Sequence, residues 1–220
     1  MAKRGYADTA CDMGSNKKNA ASRVFETARE LFYRRGIRAV GVDEIVSEAG
    51  VTKPSLYRAF KSKDDLVAAC LGESAKEGRE AVLAAVDAAG DDPRDRLRAF
   101  VQHFAYKMLC PDYRGCPMSN VVIEFPEPGH PGRAVAEDCK TQMHALLADL
   151  ARELPVAEPE TLADGINLLI EGAIASYHVF GSQGPAQSLI ATADDLIELH
   201  LQRRAAKGSA GASAGSQRFS

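Results

Sequence analysis

The 220-residue chain has no tryptophan, and its phenylalanines and tyrosines number only 14 together. Long runs of β-branched and aromatic residues, which strands favour, are scarce. Ala, Leu, Glu, Arg and Asp dominate instead, and the expectation is an all-α fold. No apolar run reaches about 18 residues, so nothing reads as a membrane span. The opening MAKRGYADTACDMG has no apolar signal core. The expected location is therefore the cytoplasm, with no membrane partner. The five cysteines (Cys11, Cys70, Cys110, Cys116, Cys139) are odd in number and widely scattered, which argues against a disulfide framework. The spacing Cys-x5-Cys at 110 and 116 has no nearby second pair, a poor start for a tetrahedral metal site. There is no HExxH, no phosphate-cradling glycine loop after a strand, and no nucleophile elbow. The expectation is a protein that is not an enzyme and has neither cofactor nor metal.

What is present is ordinary for a globular protein: 45% hydrophobic and 26% charged residues over a length that allows one or two domains. The net charge of −3 does not advertise a nucleic-acid partner, but its distribution does. Residues 1–66 hold 13 Lys/Arg against 9 Asp/Glu, and the remainder holds 14 against 21. A basic amino-terminal part on an acidic remainder suits a protein that meets phosphate with one end.

The pattern divides the chain into a flexible arm (1–20), a first domain (21–66), a larger helical domain (67–204) and a disordered Gly/Ser/Ala-rich tail (205–220). Val24, Phe25, Ala28, Leu31 and Phe32 mark one face of a first helix that Gly36 can end. Two short helices follow, near 42–49 and 53–60, with Gly50 between them. Ser62-Lys63-Asp64-Asp65 has the form of a capping box opening a fourth helix. Further helices are expected near 94–109, after Pro117, and near 133–154, 160–180 and 185–204, for about nine in all. Three prolines make residues 125–132 a loop.

Residues 42–60, VDEIVSEAGVTKPSLYRAF, have the layout of a helix-turn-helix. Gly50 can take the left-handed conformation the turn needs. Ile45, Val51 and Leu56 fall where the helices must touch. Thr52 suits the N-cap, its hydroxyl accepting a free backbone N–H, and Pro54 in the first turn costs little. The second helix would enter a major groove. Thr52, Lys53, Pro54, Ser55, Tyr57 and Arg58 are the candidate DNA-contacting residues, with Lys61 and Lys63 as phosphate contacts at the next helix.

With these stretches in view, residues 23–66 resemble the amino-terminal domain of the tetracycline-repressor (TetR) family. The resemblance is carried by RVFETARELFYRRG, by the helix-turn-helix, and by Phe60 followed by Ser62-Lys63-Asp64-Asp65-Leu66 after the Leu56-Tyr57 pair. Val40 and Gly41 depart from it where many members carry Thr, and Pro54 stands where many have Gly. The resemblance implies a homodimer on double-stranded operator DNA with two-fold symmetry. It also implies repression relieved by a small-molecule effector.

For the dimer, 162–180 is apolar on nearly every face, and 185–204 has bundle spacing. Leu162, Ile166, Leu169, Ala173, Leu189, Ala193, Leu196 and Ile197 are the expected interface, with Gly165, Gly172, Ala173 and Ala175 allowing close helix approach. For the effector pocket the candidates are Phe100, His103, Phe104, Met108, Met118, Val122, Phe125, Met143, Leu147, Ile174 and Tyr177. Asn120, Glu124, His144 and His178 are possible polar additions. An alternative reading makes Cys116, near a helix start, and Cys110 a thiol sensor of oxidants or electrophiles.

Overall fold

The computed structural model describes residues 19–215, with side chains described to residue 206. The arm expected over residues 1–20 lies almost wholly outside them. The described residues form nine α-helices and two short 3-10 turns, with no strand. The helices are α1 (Ala20–Arg35), α2 (Val42–Glu48), α3 (Lys53–Ala59), α4 (Lys63–Ala88), α5 (Pro93–Lys107), α6 (Pro117–Glu124), α7 (Pro131–Arg152), α8 (Pro159–Phe180) and α9 (Leu189–Gly215). The expected all-α class is what is found.

The chain forms two compact units, and the division does not follow one cut in the sequence. The first unit extends to Lys76 and takes in Cys110–Glu137; the second holds Glu77–Leu109 and the chain from Asp138 onward. Periodicity along the chain cannot reveal that α6 and its flanking loops join the amino-terminal helices, because that association depends on contacts some 80 residues apart.

In the first unit, Asn19 caps α1 by accepting the Ser22 N–H at 2.8 Å. The α1 face Val24, Ala28, Leu31 and Phe32 is buried together with Ile45 and Val46 of α2 and Leu56 of α3. Each of the larger side chains taken from water stabilises the fold by roughly 1.5–3 kcal/mol, and Ala28 by less. Ser62 opens α4 as its sequence suggests, accepting the Asp65 N–H at 3.0 Å.

In the second unit the buried side chains include Leu97 and Phe100 of α5, Leu147 and Leu150 of α7, Leu162 and Ile166 of α8, and Ile197 of α9. Arg98 of α5 holds both carboxylate oxygens of Asp194 at 3.0 Å, and Arg94 meets Glu198 at 3.3 Å. These ion pairs align α5 with α9 at the surface, where each contributes little by itself. The last helix continues through Gly215, past Ala205 where the composition predicts a tail; extending a formed helix costs no new nucleus, and Ala favours it.

Candidate nucleic-acid interface

Two seven-residue helices joined at Gly50 form the helix-turn-helix. Gly50 has φ +61, the left-handed value its sequence position predicts. Ile45 and Leu56 are fully buried and lock α2 against α3. Burying Leu56 turns the opposite face of α3 outward: Thr52, Lys53, Pro54, Tyr57 and Arg58 are exposed, Ser55 is half-buried, and Lys61 is exposed just beyond. Tyr57, 49% accessible, is a large aromatic ring left in water on a polar face. Thr52 occupies the N-cap position but does not cap; its Oγ1 lies 3.0 Å from Ser55 Oγ. The expected backbone cap is thus replaced by a hydroxyl pair.

Two acidic residues of α2 hold cations on this surface. Glu44 pairs with Arg35 at the end of α1. Asp43 Oδ1 lies 2.7 Å from Lys53 Nζ. The Asp43 hydrogen bond, then its charge, hold the Lys53 ammonium above the ordinary lysine range.

Lys63, expected as a phosphate contact, is engaged within the chain. It donates to the Ile37 carbonyl at 2.6 Å and lies 5.8 Å from the centre of the Phe32 ring. Burial pushes its ammonium below the ordinary lysine range. Its stem packs inward because the helix start at Ser62 aims position 63 at the α1–α2 turn.

That turn is held from a second side. Glu124, at the end of α6, accepts the Ile37 N–H at 3.2 Å and the Arg38 N–H at 2.9 Å. Gly36, with φ +88, leaves room for it; a Cβ there would sit 3.0 Å from Glu124 Oε1. Arg38 also lies over the Phe125 ring at 4.9 Å, and the other ring contact of Phe125 is a stack on His130 at 3.8 Å. Arg133 of α7 donates to the Val122 and Phe125 carbonyls at 3.4 and 3.0 Å, satisfying the carboxyl end of α6. At the other end, the Tyr33 hydroxyl of α1 donates to the Gly115 carbonyl at 3.2 Å and accepts the Arg114 N–H at 2.8 Å. So α6 is tied at both ends to the helix that carries the helix-turn-helix. Along the sequence Glu124 stands out only as a pocket candidate; no local pattern marks a carboxylate whose partners are backbone amides far upstream.

The effector candidates fall in both units. Met118, Val122 and Phe125 belong to the first, and Phe125 is committed to Arg38 and His130. Phe100, His103, Phe104, Met108, Met143, Leu147, Ile174 and Tyr177 belong to the second. There Phe100, His103, Met108, Leu147 and Ile174 are buried, and Phe104 contacts both Phe100 and His103 with ring centres 5.3 and 5.4 Å away. Burial, then the Lys107 charge, push the His103 imidazolium pKa down to about 4, so the ring is neutral near pH 7. A half-open groove of about 420 Å³ in this unit is lined by Tyr106, Met108, Leu109, Tyr177, Gln183, Gln187 and Ile190 among others. Of the predicted residues only Met108 and Tyr177 reach it. Asn120 instead donates to the Arg114 carbonyl, His144 pairs with Asp164 at 2.8 Å, and His178 is exposed.

Among the described cysteines none forms a disulfide. Cys70 is buried, which pushes its thiol up to about 12 and leaves it protonated. Cys110 is exposed, and Cys116 is half-buried at the N-cap position of α6.

Of the expected dimer residues, Leu162, Ile166, Ala173, Leu189, Ala193 and Ile197 are buried inside the chain that carries them, which leaves them little surface for a partner; Leu169 and Leu196 are partly covered. Gly165 receives Leu196 of α9, whose Cδ2 would be 2.9 Å from an added Cβ. The apolar face left outside on α8 is Leu168, Gly172, Ala175 and Val179, spaced i, i+4, i+7, i+11, with Leu168 71% and Val179 74% accessible. An added Cβ on Gly172 would meet nothing within 4 Å. An all-round apolar helix does not say which face its own chain covers.

Residues 24–70 match the sequence profile of the family described as bacterial regulatory proteins, tetR family. A crystal structure of a TetR-family transcriptional regulator from Streptomyces coelicolor is 28% identical with a TM-score of 0.76, over 86% of this chain and 91% of that one. An uncharacterized HTH-type transcriptional regulator of Lactococcus lactis is 23% identical over 76% of this chain and 81% of its own length. The HTH-type transcriptional activator FasR of Mycolicibacterium smegmatis is 43% identical over 77 residues, 35% of each protein.

Proposed function

We propose that this chain, a DNA-binding transcriptional regulator of the TetR family, acts as a homodimeric repressor that a small molecule releases from its operator. The observation that carries the DNA-binding part is α3 itself. Its buried Leu56 leaves Lys53, Tyr57 and Arg58 exposed together on one side of a short, firmly packed helix. Such a helix can enter a major groove with its first residues at the base edges. Thr52, Pro54, Ser55 and Lys61 complete the contact surface. Lys63, already engaged with the Ile37 carbonyl, is left out of it.

Dimerisation is assigned to the outward face of α8, Leu168, Gly172, Ala175 and Val179, with Leu199 of α9 also exposed. Contiguous apolar surface of this kind is costly in water and marks an association site. Two recognition helices related by a two-fold axis would then read half-sites about one helical turn, or a multiple, apart. The effector is assigned to the second unit. Its groove carries tyrosine, methionine, leucine, isoleucine and glutamine side chains, a lining suited to an uncharged, largely apolar molecule.

A footprint on DNA flanking the chain's own gene tests the first reading, followed by anisotropy titrations with labelled duplex. Tyr57→Ala and Arg58→Ala are expected to weaken operator binding by tenfold or more at fixed salt. Unchanged affinity in both, with folded protein, sinks the recognition-helix assignment. A reporter carrying the operator distinguishes repression from activation by the sign of its response.

A second reading, thiol control, has one supporting observation. Cys116 occupies the N-cap position of α6, and the other end of α6 is Glu124, which holds the α1–α2 turn. A bulky adduct on Cys116 would reach the helix-turn-helix through eight residues of helix. Oxidant-triggered DNA release that survives both Cys116→Ala and Cys110→Ala rules it out.

A further inference from the structure

Asp43 sits in the first turn of α2 with its side chain 81% exposed, and Lys53 opens α3 with its side chain 51% exposed. Their Oδ1 and Nζ atoms are 2.7 Å apart. So exposed a pair does little for stability. A carboxylate at a surface that approaches a polyanion is also repelled by every phosphate near it. Its one good partner in duplex DNA is a base amino group, and among bases the cytosine N4 donor in the major groove is the usual match for a carboxylate.

The neighbouring ammonium sharpens the choice. Lysine carries three N–H donors, and Asp43 occupies one. Two remain, enough for the adjacent acceptors N7 and O6 of guanine. Across the major-groove edge a G·C pair presents acceptor, acceptor, donor: N7, O6, then cytosine N4. An A·T pair presents acceptor, donor, acceptor, then the thymine methyl, which would leave a lysine donor facing an amino group. The ammonium and carboxylate held side by side complement all three groups of the G·C edge; on an A·T pair they would engage only adenine N7 and N6 and leave one lysine donor without an acceptor. Of the three α2 carboxylates, Glu44 is held by Arg35 and Glu48 stands at the far end of the helix, so Asp43 is the one placed beside the start of α3.

Resting on the DNA-binding reading above, we infer that Asp43 and Lys53 act as one unit that reads a single G·C pair in each half-site. Lys53 donates to guanine N7 and O6, and Asp43 accepts from cytosine N4 while holding the lysine stem in place. Asp43 is a specificity-determining residue. It restrains Lys53 from roaming to phosphates and so weakens binding to unrelated sequence.

The test is enrichment of binding sites from a randomised duplex pool by the full-length wild type, Asp43→Ala and Lys53→Met, followed by titration of the selected duplex and random duplex over a range of salt. The wild type is expected to enrich a two-fold symmetric site containing an invariant G·C pair. Asp43→Ala is expected to keep the other half-site preferences, which reports an intact fold, and to relax that one position by roughly five- to hundredfold. Lys53→Met is expected to relax the same position. Binding of Asp43→Ala to random duplex should tighten, with the salt slope steeper by about one as Lys53 is freed for a phosphate. An unchanged preference at every position in Asp43→Ala overturns the inference. So does an equal change in affinity for all sequences, or relaxation at different positions in the two variants. If the folded wild type enriches no sequence at all, the DNA-binding reading itself falls, and this inference with it.

Discussion

The Glu124 carboxylate accepts the main-chain N–H of Arg38 at 2.9 Å, across 86 positions of sequence. Its other oxygen takes the Ile37 N–H. A charged acceptor shared by two backbone donors is among the stronger kinds of hydrogen bond, and removing it leaves both amides without that partner. Glu124→Ala is expected to destabilise the protein by about 1–3 kcal/mol in chemical denaturation. The amides of Ile37 and Arg38 should also lose hydrogen-exchange protection selectively. Wild-type protection of both amides in the variant would show that the contact does not hold the turn.

Lys63 offers a sharper separation between structure and DNA contact. Its Nζ already donates to the Ile37 carbonyl. Lys63→Met keeps the packing stem and removes the donor. A loss of ~1 kcal/mol in stability is expected. The slope of log affinity against log salt should stay unchanged, because no phosphate contact is lost. A slope reduced by about one, with stability intact, would return Lys63 to the phosphate contacts.

Leu168 and Val179 are placed to test the association surface. Leu168→Glu puts a charge on a face that a partner would desolvate. Sedimentation should give a dimer for the wild type and a monomer for the variant at micromolar concentration, with operator binding lost alongside. By contrast Leu162→Ala, inside the chain's own core, should cost 2–5 kcal/mol of stability through the cavity it leaves. A wild-type monomer, or a Leu168→Glu dimer, would remove this face from consideration.

His103 predicts a pH dependence. Its folded pKa, about 4, lies below the ordinary value of 6.5 because burial disfavours the imidazolium and Lys107 adds to the effect. The unfolded chain therefore binds a proton that the folded chain refuses. The stability tied to the neutral ring is complete above pH 6.5, is lost as pH falls towards 4, and amounts to ~3 kcal/mol over that window. Denaturation midpoints measured from pH 7.5 to 4.5 should fall more steeply for the wild type than for His103→Gln. Parallel curves would contradict the assignment.

Much of the amino-terminal unit was legible because its determinants are local. Gly50 marks the turn because the left-handed conformation costs glycine little, and Ile45 and Leu56 recur at spacings that meet across two short helices. The Ser62 cap needs only the residue three places on. The exposed row Lys53, Tyr57, Arg58 follows once Leu56 points inward. The same local reasoning misplaces the Thr52 cap and does not display the Ile37 carbonyl that Lys63 meets, since each side chain is free to choose among partners that one-dimensional spacing does not show.

Periodicity, capping and turn chemistry act over a few residues, so the helices, their order and the outward face of α3 can be read along the chain. Three-dimensional packing is what joins Glu124 and Tyr33 across the end of α1 and the segment around α6. It alone divided α8 into an inner face with Leu162 and Ile166 and an outer one with Leu168 and Val179. It alone brought Asp43 to Lys53. Each of these depends on which of several chemically similar surfaces meet in space, and that is set by packing over the whole chain.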